Sequence, residues 1–210
     1  MHGLGRLPSP PDSRDFRMAD AMQQLPESKT WHSDRVLNQL ETPHCVGFSW
    51  AGWGIASPIE DPWGDPMGHD IYRECKIVDG QPGEENGSTL RSGAKVMKKR
   101  GHIGTYFFAD SIDEAAIYVK RFGPVVLGTL WTEGMNKPSK ICSVISPRGP
   151  VLGGHAYLWI GVTPRYAIIR NSWGVEWGKK GDAKIRLSDL RELFEKQGEA
   201  CAATEVQLVI

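Results

Sequence analysis

The sequence predicts an α+β protein in which a mainly helical lobe precedes a mainly β lobe. Between 36 and 123, apolar residues recur at helical spacing and are bounded by capping and stop signals. From 124 to 210, short apolar or β-branched runs alternate with turn residues, which is the pattern of strands. Residues 1–35 are rich in proline and polar side chains, and we expect them to form an extended strap over the surface. We therefore treat 1–210 as one domain of two lobes.

Capping and turn residues set the bounds of the predicted elements. The run after Pro43 continues to Pro58, and because its glycines disfavour an isolated helix, we expect a helix held in the core by packing. Ser111 with Glu114 forms a capping box, and Gly123 ends that helix. The other predicted helices lie at 70–77, from Ser88 or Thr89 to 100, and at 188–196. The predicted strands lie at 124–131, 156–162, 166–170, 182–187 and 205–210.

The charge composition excludes a general attraction to polyanions. The chain carries 25 basic and 25 acidic side chains, so no net field favours nucleic acid or an anionic membrane. No run approaches the roughly 18–20 apolar residues of a spanning helix, and the start lacks the apolar core of a signal peptide. We expect a monomeric, cytoplasmic protein that selects its binding partner through a specific site and not through its net charge.

The four cysteines stand far apart, at 45, 75, 142 and 201, without the Cys-x-x-Cys spacing of a zinc or redox motif. Reduced thiols fit this number and spacing best, although a bridge between Cys142 and Cys201 stays open on the sequence. The histidines have no His-x3-His spacing, so no metal site is predicted.

Four residues supply the parts of a thiol acyl-transfer site. Cys45 is the predicted nucleophile, in the first turn of a helix where unpaired N–H groups stabilise a thiolate. His155 takes and returns the proton, and Asn171 orients the imidazole, since strands joined by a turn at 163–164 would bring the two side by side. Gln39 and the Cys45 N–H complete the site as an oxyanion hole.

These residues, in this order, resemble the papain-like cysteine proteases. The motifs are Gln39-x5-Cys45, Gly154-His155-Ala156 and Asn171-Ser-Trp-Gly-x-x-Trp-Gly-x-x-Gly181. The resemblance implies a helical left lobe, an antiparallel β-barrel right lobe, and a cleft between Cys45 on one lobe and His155 with Asn171 on the other. It also implies hydrolysis of peptide bonds in a peptide or protein substrate, through a Cys45 acyl-enzyme and without a cofactor.

Four further residues are given supporting roles. Trp173 is expected to cover the hydrogen bond between Asn171 and the histidine and to keep water from it. Gly154 supports the site through its place beside the histidine. Trp177 is expected to line the leaving-group side of the cleft. Gly87 is expected to border the substrate backbone, because the turn-rich segment around it lies where the family has a Gly-rich strand.

Other interpretations of the same residues stay open. Ser49 in Ser-Trp-Ala would be the nucleophile in a shifted register, but it lies ten residues after Gln39 (49 minus 39) and leaves Cys45 idle. His44 is expected to face solvent, because adjacent side chains on a helix do not face each other. The same site would suit a transpeptidase or deamidating transferase, or an inactive peptide-binding module.

Departures from the family pattern carry expectations of their own. Val46 stands where many members have an aromatic residue, and we expect this to change packing and leave the thiol chemistry intact. The family's upstream cysteine is replaced around Pro43, so its disulfides are expected to be absent. The 44 residues before Cys45 suggest a minimal form without an inhibitory propeptide, of a bacterial or phage type. Residues 7–14 resemble the segment that opens the mature family domain.

Overall fold

A computed structural model of the chain describes residues 3–7, 25–139 and 141–205. Within these ranges the α-helices are α1 (Cys45–Ile55), α2 (Asp65–Val78), α3 (Leu90–Lys99), α4 (Ile112–Arg121) and α5 (Leu187–Glu195), with a short 3-10 helix at Glu133–Met135. The strands of the same residues are β1 (Arg6–Leu7), β2 (Lys29–Thr30), β3 (Ser88–Thr89), β4 (Ile103–Phe108), β5 (Val125–Thr132), β6 (Val144–Ile145), β7 (Val151–Val162), β8 (Tyr166–Arg170), β9 (Asp182–Arg186) and β10 (Glu199–Glu205).

The strands form one large sheet and one small one. The large sheet has eight strands in the order β4-β10-β5-β7-β8-β9-β6, with β2 paired to β7 outside this path. Its pairs are antiparallel apart from β6 with β9. The small sheet is the parallel pair of β1 and β3. The predicted α+β fold, with helices and a largely antiparallel sheet, is therefore confirmed.

Strand β7 separates two hydrophobic cores. Tyr157 and Trp159 point into a core formed by the sheet with α4 and α5. Ala156, Leu158 and Ile160 point to the opposite face, into a core shared with α1, α2 and α3. Successive side chains of a strand alternate between its faces, so an unbroken apolar run is required when both faces are covered.

Helix α1 is the buried central helix that its sequence predicted. Gly52 is the one residue of the helix that is not buried. The helix packs between β7 on one side and α2 and α3 on the other. The indole N–H of Trp50 donates to the Leu90 carbonyl oxygen at 3.2 Å, which ties α1 to the start of α3. Tertiary packing thus offsets the low helix propensity of the glycines.

Two predicted helix starts are confirmed by their hydrogen bonds, whereas the helix predicted at 70–77 begins earlier, as α2 at Asp65. Thr89 caps α3, because its hydroxyl accepts from the Ser92 N–H at 3.1 Å. Ser111 caps α4 by accepting from the Glu114 N–H at 3.2 Å. The Glu114 carboxylate reaches back to the Asp110 N–H at 2.7 Å, one residue before the expected partner. Each cap satisfies an N–H group that the helix itself leaves unpaired.

Two strand predictions need correction. No strand was predicted at Ile103–Phe108, but this segment forms β4. Its β-branched and aromatic residues favour a strand, and it pairs with β10 at the edge of the large sheet. The last strand was predicted at 205–210, but β10 covers Glu199–Glu205, and 206–210 lie outside the described residues. The run of small residues in β10 has a low strand propensity, and its place between β4 and β5 overrides that propensity.

In the part of the chain that the structure describes, no helix has the length and apolar character needed to cross a membrane.

Replacing Ser111 by Ala should lower the free energy of unfolding by about 1 kcal/mol, because α4 loses the side-chain acceptor of its first turn. Urea denaturation followed by circular dichroism measures this change. Ser188→Ala is the matched control, since Ser188 is exposed in the first turn of α5 and its hydroxyl makes only a 3.5 Å contact with Asp189. Equal losses in the two variants would contradict the capping role.

Candidate active site

Cys45 is the first residue of α1 and is fully buried at the junction of the two lobes. Burial raises the pKa of its thiol to about 11, against the smaller lowering effects of backbone hydrogen bonds from Ala156, Gly5 and Val46. Ala156 follows His155 in β7 and shares a hydrophobic core with Cys45, so the start of α1 lies against the strand that carries the predicted base. In this closed arrangement the thiol is protonated at neutral pH.

His155 and Asn171 form the predicted pair. Antiparallel pairing of β7 with β8 brings the two residues together, and both are buried. The Asn171 Oδ1 atom lies 2.9 Å from His155 Nε2 and also accepts the Ser172 N–H at 2.8 Å. The backbone donor fixes which end of the amide faces the ring. Nε2 therefore carries the proton of the neutral imidazole, and Nδ1 is its basic nitrogen.

Three tryptophans enclose the histidine on the side of the β lobe. The Trp173 ring is tilted 32° to the imidazole with centroids 4.8 Å apart, and Trp131 stands edge-on at the same distance. Trp177 lies behind both, only 5% exposed, and its indole N–H donates to the Asn136 carbonyl oxygen at 3.0 Å. This apolar cover shields the hydrogen bond between the histidine and asparagine from water. The cleft-lining role of Trp177 stays a prediction.

Gln39 is buried beside the same asparagine loop. Its backbone N–H donates to the Ser172 carbonyl oxygen at 2.9 Å, and its Oε1 accepts from the Ser172 hydroxyl at 2.7 Å. These bonds aim the amide nitrogen away from the β lobe. Nε2 donates to the carbonyl oxygens of Thr42, at 2.8 Å, and Gly3, at 3.0 Å. The side-chain amide of Gln39, which was predicted to donate to an oxyanion, thus already donates to the carbonyl oxygen of Gly3.

Residues 3–7, which we call the cleft segment, cross the site. Gly5 lies close to the start of α1, since a Cβ added to it would lie 2.1 Å from the Pro43 carbonyl oxygen, and its own carbonyl oxygen accepts from the Ser88 N–H at 2.8 Å. The next two residues pair with β3 in parallel. The expectation of a surface strap is therefore wrong for 3–7, because the cleft offers a sheet edge with unpaired backbone groups. Residues 8–24, with most of the segment that resembles a mature family terminus, lie outside the described residues.

Glycines line the path of the cleft segment because backbones touch there. A Cβ on Gly87 would lie 2.0 Å from the Gly5 carbonyl oxygen, and one on Gly154 would lie 2.2 Å from the Arg6 carbonyl oxygen. Gly87 also has a backbone φ angle of +87°, which residues with a side chain rarely adopt. Both glycines singled out in the sequence therefore face an extended chain in the cleft.

His44 does not face solvent as expected. The side chain is only 5% exposed and stacks on Tyr72 with ring centroids 3.8 Å apart. Its ring nitrogens lie 2.7 Å from His69 and 2.6 Å from Glu85. Burial lowers the pKa of His44, against the raising effect of the Glu85 carboxylate. The expectation failed because α2 packs over the start of α1 and covers the residue before it.

The alternative nucleophile and the other cysteines are placed elsewhere. Ser49 is buried in α1, where its hydroxyl donates to the Cys45 carbonyl oxygen at 2.8 Å. All four cysteines are free, so Cys142 and Cys201 are not bridged. Cys142 is exposed, and hydrogen bonding from the Ser139 side chain lowers the pKa of its thiol. No group of three metal-binding side chains occurs within 3–7, 25–139 and 141–205.

Sequence reasoning missed three residues that shape the site. Ser172 holds Gln39, and its place inside the Asn-Ser-Trp-Gly motif was an available signal. Arg6 and Glu199 form a buried ion pair at 2.6 Å beside the cleft, yet they stand at opposite ends of the chain. No local pattern marks either residue of this pair.

The arrangement of helices and sheet in this chain is similar to the fold of the papain-like cysteine proteases. Xylellain, a cysteine protease from Xylella fastidiosa, matches with a TM-score of 0.80 at 19% identity, over 98% of this chain and 97% of that one. Digestive procathepsin L 3 from Tenebrio molitor larval midgut matches with a TM-score of 0.69 at 13% identity, over 97% and 76%.

A third similar structure is the Carica candamarcensis cysteine protease CMS1MS2 in complex with E-64. It matches with a TM-score of 0.57 at 15% identity, over 86% of this chain and 99% of that one. No protein-family profile and no curated protein sequence matches the chain. The similarity is thus one of fold, and a fold tolerates wide sequence change as long as its packing pattern is kept.

The cleft segment should protect Cys45 from alkylation. In the unmodified chain, iodoacetamide should label the exposed Cys142 rapidly and Cys45 slowly, with a Cys45 rate that still rises above pH 9 because the pKa of that thiol is about 11. Gly5→Val should speed Cys45 labelling at least about tenfold at pH 7, since its Cβ would lie 2.1 Å from the Pro43 carbonyl oxygen and force the segment out. Peptide mapping by mass spectrometry reads both sites.

Gly64→Val is the matched control, because a Cβ there lies 3.8 Å from its nearest neighbour. That variant should label like the unmodified chain. If Cys45 were labelled as fast as Cys142 without any substitution, the segment would not be a cover in solution.

Proposed function

We propose that this protein is a cysteine-type peptidase that hydrolyses peptide bonds through a Cys45 acyl-enzyme. The observation that carries the proposal is the 2.9 Å bond between His155 Nε2 and Asn171 Oδ1, because His155 lies on the strand whose Ala156 shares a hydrophobic core with Cys45. The fold shared with cysteine proteases supports it. A nucleophile, an oriented base and an amide donor are the minimum set for acyl transfer by a thiol.

The reaction proceeds in two steps, formation of the acyl-enzyme and its hydrolysis. His155 Nδ1 takes the thiol proton, and the Cys45 sulfur attacks the substrate carbonyl carbon to form a C–S bond. Gln39 Nε2 and the Cys45 N–H donate to the oxygen that becomes negative. The C–N bond then breaks as the imidazolium returns its proton to the leaving amine. In the second step, His155 takes a proton from water, the hydroxide displaces the sulfur, and the carboxylic acid leaves with the thiol restored.

Substrate entry requires the cleft segment to leave. Gly3 occupies the Gln39 donor, and Gly5 occupies the space at the sulfur. When the segment leaves, the thiol gains access to water and loses part of the desolvation that raises its pKa. The helix start and an imidazolium at His155 then both favour the thiolate. Displacement of the segment would therefore uncover and activate the nucleophile together.

All four catalytic residues come from one chain, which supports a monomer as the active unit. The four free cysteines support a reducing compartment such as the cytoplasm. The substrate is a peptide or protein that can lie extended along β3, because that strand offers its edge to the cleft segment.

Intact mass after treatment with the epoxide E-64 tests the nucleophile. The Gly5→Val chain and its Cys142→Ala version should each gain one adduct, and the Cys45→Ala version should gain none. An adduct that persists in Cys45→Ala would contradict the assignment of Cys45 as the nucleophile.

Gln39→Ala should lower kcat on a fluorogenic peptide about 100- to 1000-fold, because one oxyanion donor is lost.

Product masses separate hydrolysis from other uses of the same site. Free carboxylic acid products, with or without an added amine, support the peptidase. Amide products formed with the added amine would instead show a transpeptidase or transferase. Peptide binding without an adduct or any product would show an inactive binding module.

A further inference from the structure

The Arg6 side chain fills a closed pocket beside the nucleophile. Its guanidinium donates to Glu199 Oε2 at 2.6 Å and to the Gln197 carbonyl oxygen at 2.7 Å. The arginine side chain is 1% exposed and the glutamate side chain 15%. Two charge-assisted bonds to a guanidinium at this depth form a specific cation site.

The walls of the pocket belong to the β lobe and fit a long, narrow side chain. A Cβ on Gly128 of β5 would lie 2.6 Å from Arg6 Nε, and one on Gly154 would lie 3.4 Å from Arg6 Cδ. Both strands therefore lie against the stem of the arginine. Gln197 holds φ +81°, an uncommon conformation for a residue with a side chain, and its carbonyl oxygen faces the guanidinium.

The pocket lies next to the reacting position. Gly5 lies beside the start of α1, since a Cβ added to it would lie 2.1 Å from the Pro43 carbonyl oxygen, and Arg6 is the following residue of the same extended chain. The Gly5 carbonyl oxygen and the β1 pairing use the edge of β3. A substrate that reaches the sulfur must replace these residues on that edge, and one of its side chains then enters the pocket that Arg6 has left.

We propose that the Glu199 pocket is a specificity subsite for a basic side chain of the substrate, preferentially arginine, and that Arg6 fills it in competition with substrate. This inference rests on the peptidase function proposed above. An arginine restores both charge-assisted bonds, to Glu199 Oε2 and to the Gln197 carbonyl oxygen, whereas a neutral side chain brings no positive charge to Glu199. Lysine brings the charge without the planar fork, so it should rank between arginine and neutral side chains.

Paired fluorogenic peptides test the subsite on the Gly5→Val chain. Each pair carries either arginine or citrulline, its uncharged analogue of equal shape, at one of the three positions before the cleaved bond. At one of these positions kcat/KM for arginine should exceed that for citrulline by about 30-fold or more. Glu199→Gln should remove most of this ratio, because the pocket loses the charge that distinguishes arginine from citrulline.

Glu195→Gln is the matched control, since Glu195 is exposed at the end of α5 and should keep the full arginine preference. Arg6→Ala supplies a second opened chain if Gly5→Val does not fold by circular dichroism. Equal kcat/KM for arginine and citrulline at all three positions, with turnover intact, would overturn the subsite and leave the peptidase standing.

Binding to the Cys45→Ala form of the opened chain separates the two proposals. Calorimetry with the same uncleaved peptides should show tighter binding of the arginine member, and loss of that difference in Glu199→Gln. An arginine preference in binding without any turnover would support the subsite and contradict the peptidase. Equal binding of both members would overturn the subsite whatever the enzyme does.

Discussion

The structure depends on the double burial of β7. Tyr157 and Trp159 anchor this strand in the core of the β lobe, while Ala156 and Leu158 anchor it against α1. Because both faces are packed, a one-residue slip would exchange every side chain between the cores. The register is therefore fixed, and with it the position of His155 beside the start of α1. The catalytic geometry follows from core packing and needs no separate device to join the lobes.

The second constraint is the competition for the cleft. The cleft segment satisfies the Gln39 amide and the edge of β3, and its arginine satisfies the Glu199 pocket. These groups are costly to bury without partners, so something must always occupy them. In this structure the cleft segment is that occupant. Under the function proposed above, a peptide substrate that brings equivalent groups would replace it at a small net cost.

The sequence predicted best where the cause is local. The Ser111 cap depends on contacts within one helical turn, and the His155–Asn171 pair depends on two strands joined by a short turn. Prediction failed where partners are remote. The environment of His44 comes from α2 and the 85 region, and β10 is a strand because β4 and β5 flank its small residues. Propensity cannot anticipate such neighbours.

The sequence by itself determined which residues form the candidate site, since Gln39, Cys45, His155 and Asn171 are recognisable from residue type, order and spacing. Only the tertiary structure decided what lies against them. The Arg6–Glu199 pair joins residues 193 positions apart, and the contact of Gly3 with Gln39 spans 36 positions. Such contacts form only when the folded chain brings residues that are distant in sequence close together. Their energy depends on burial, and a segment becomes buried only when others pack against it.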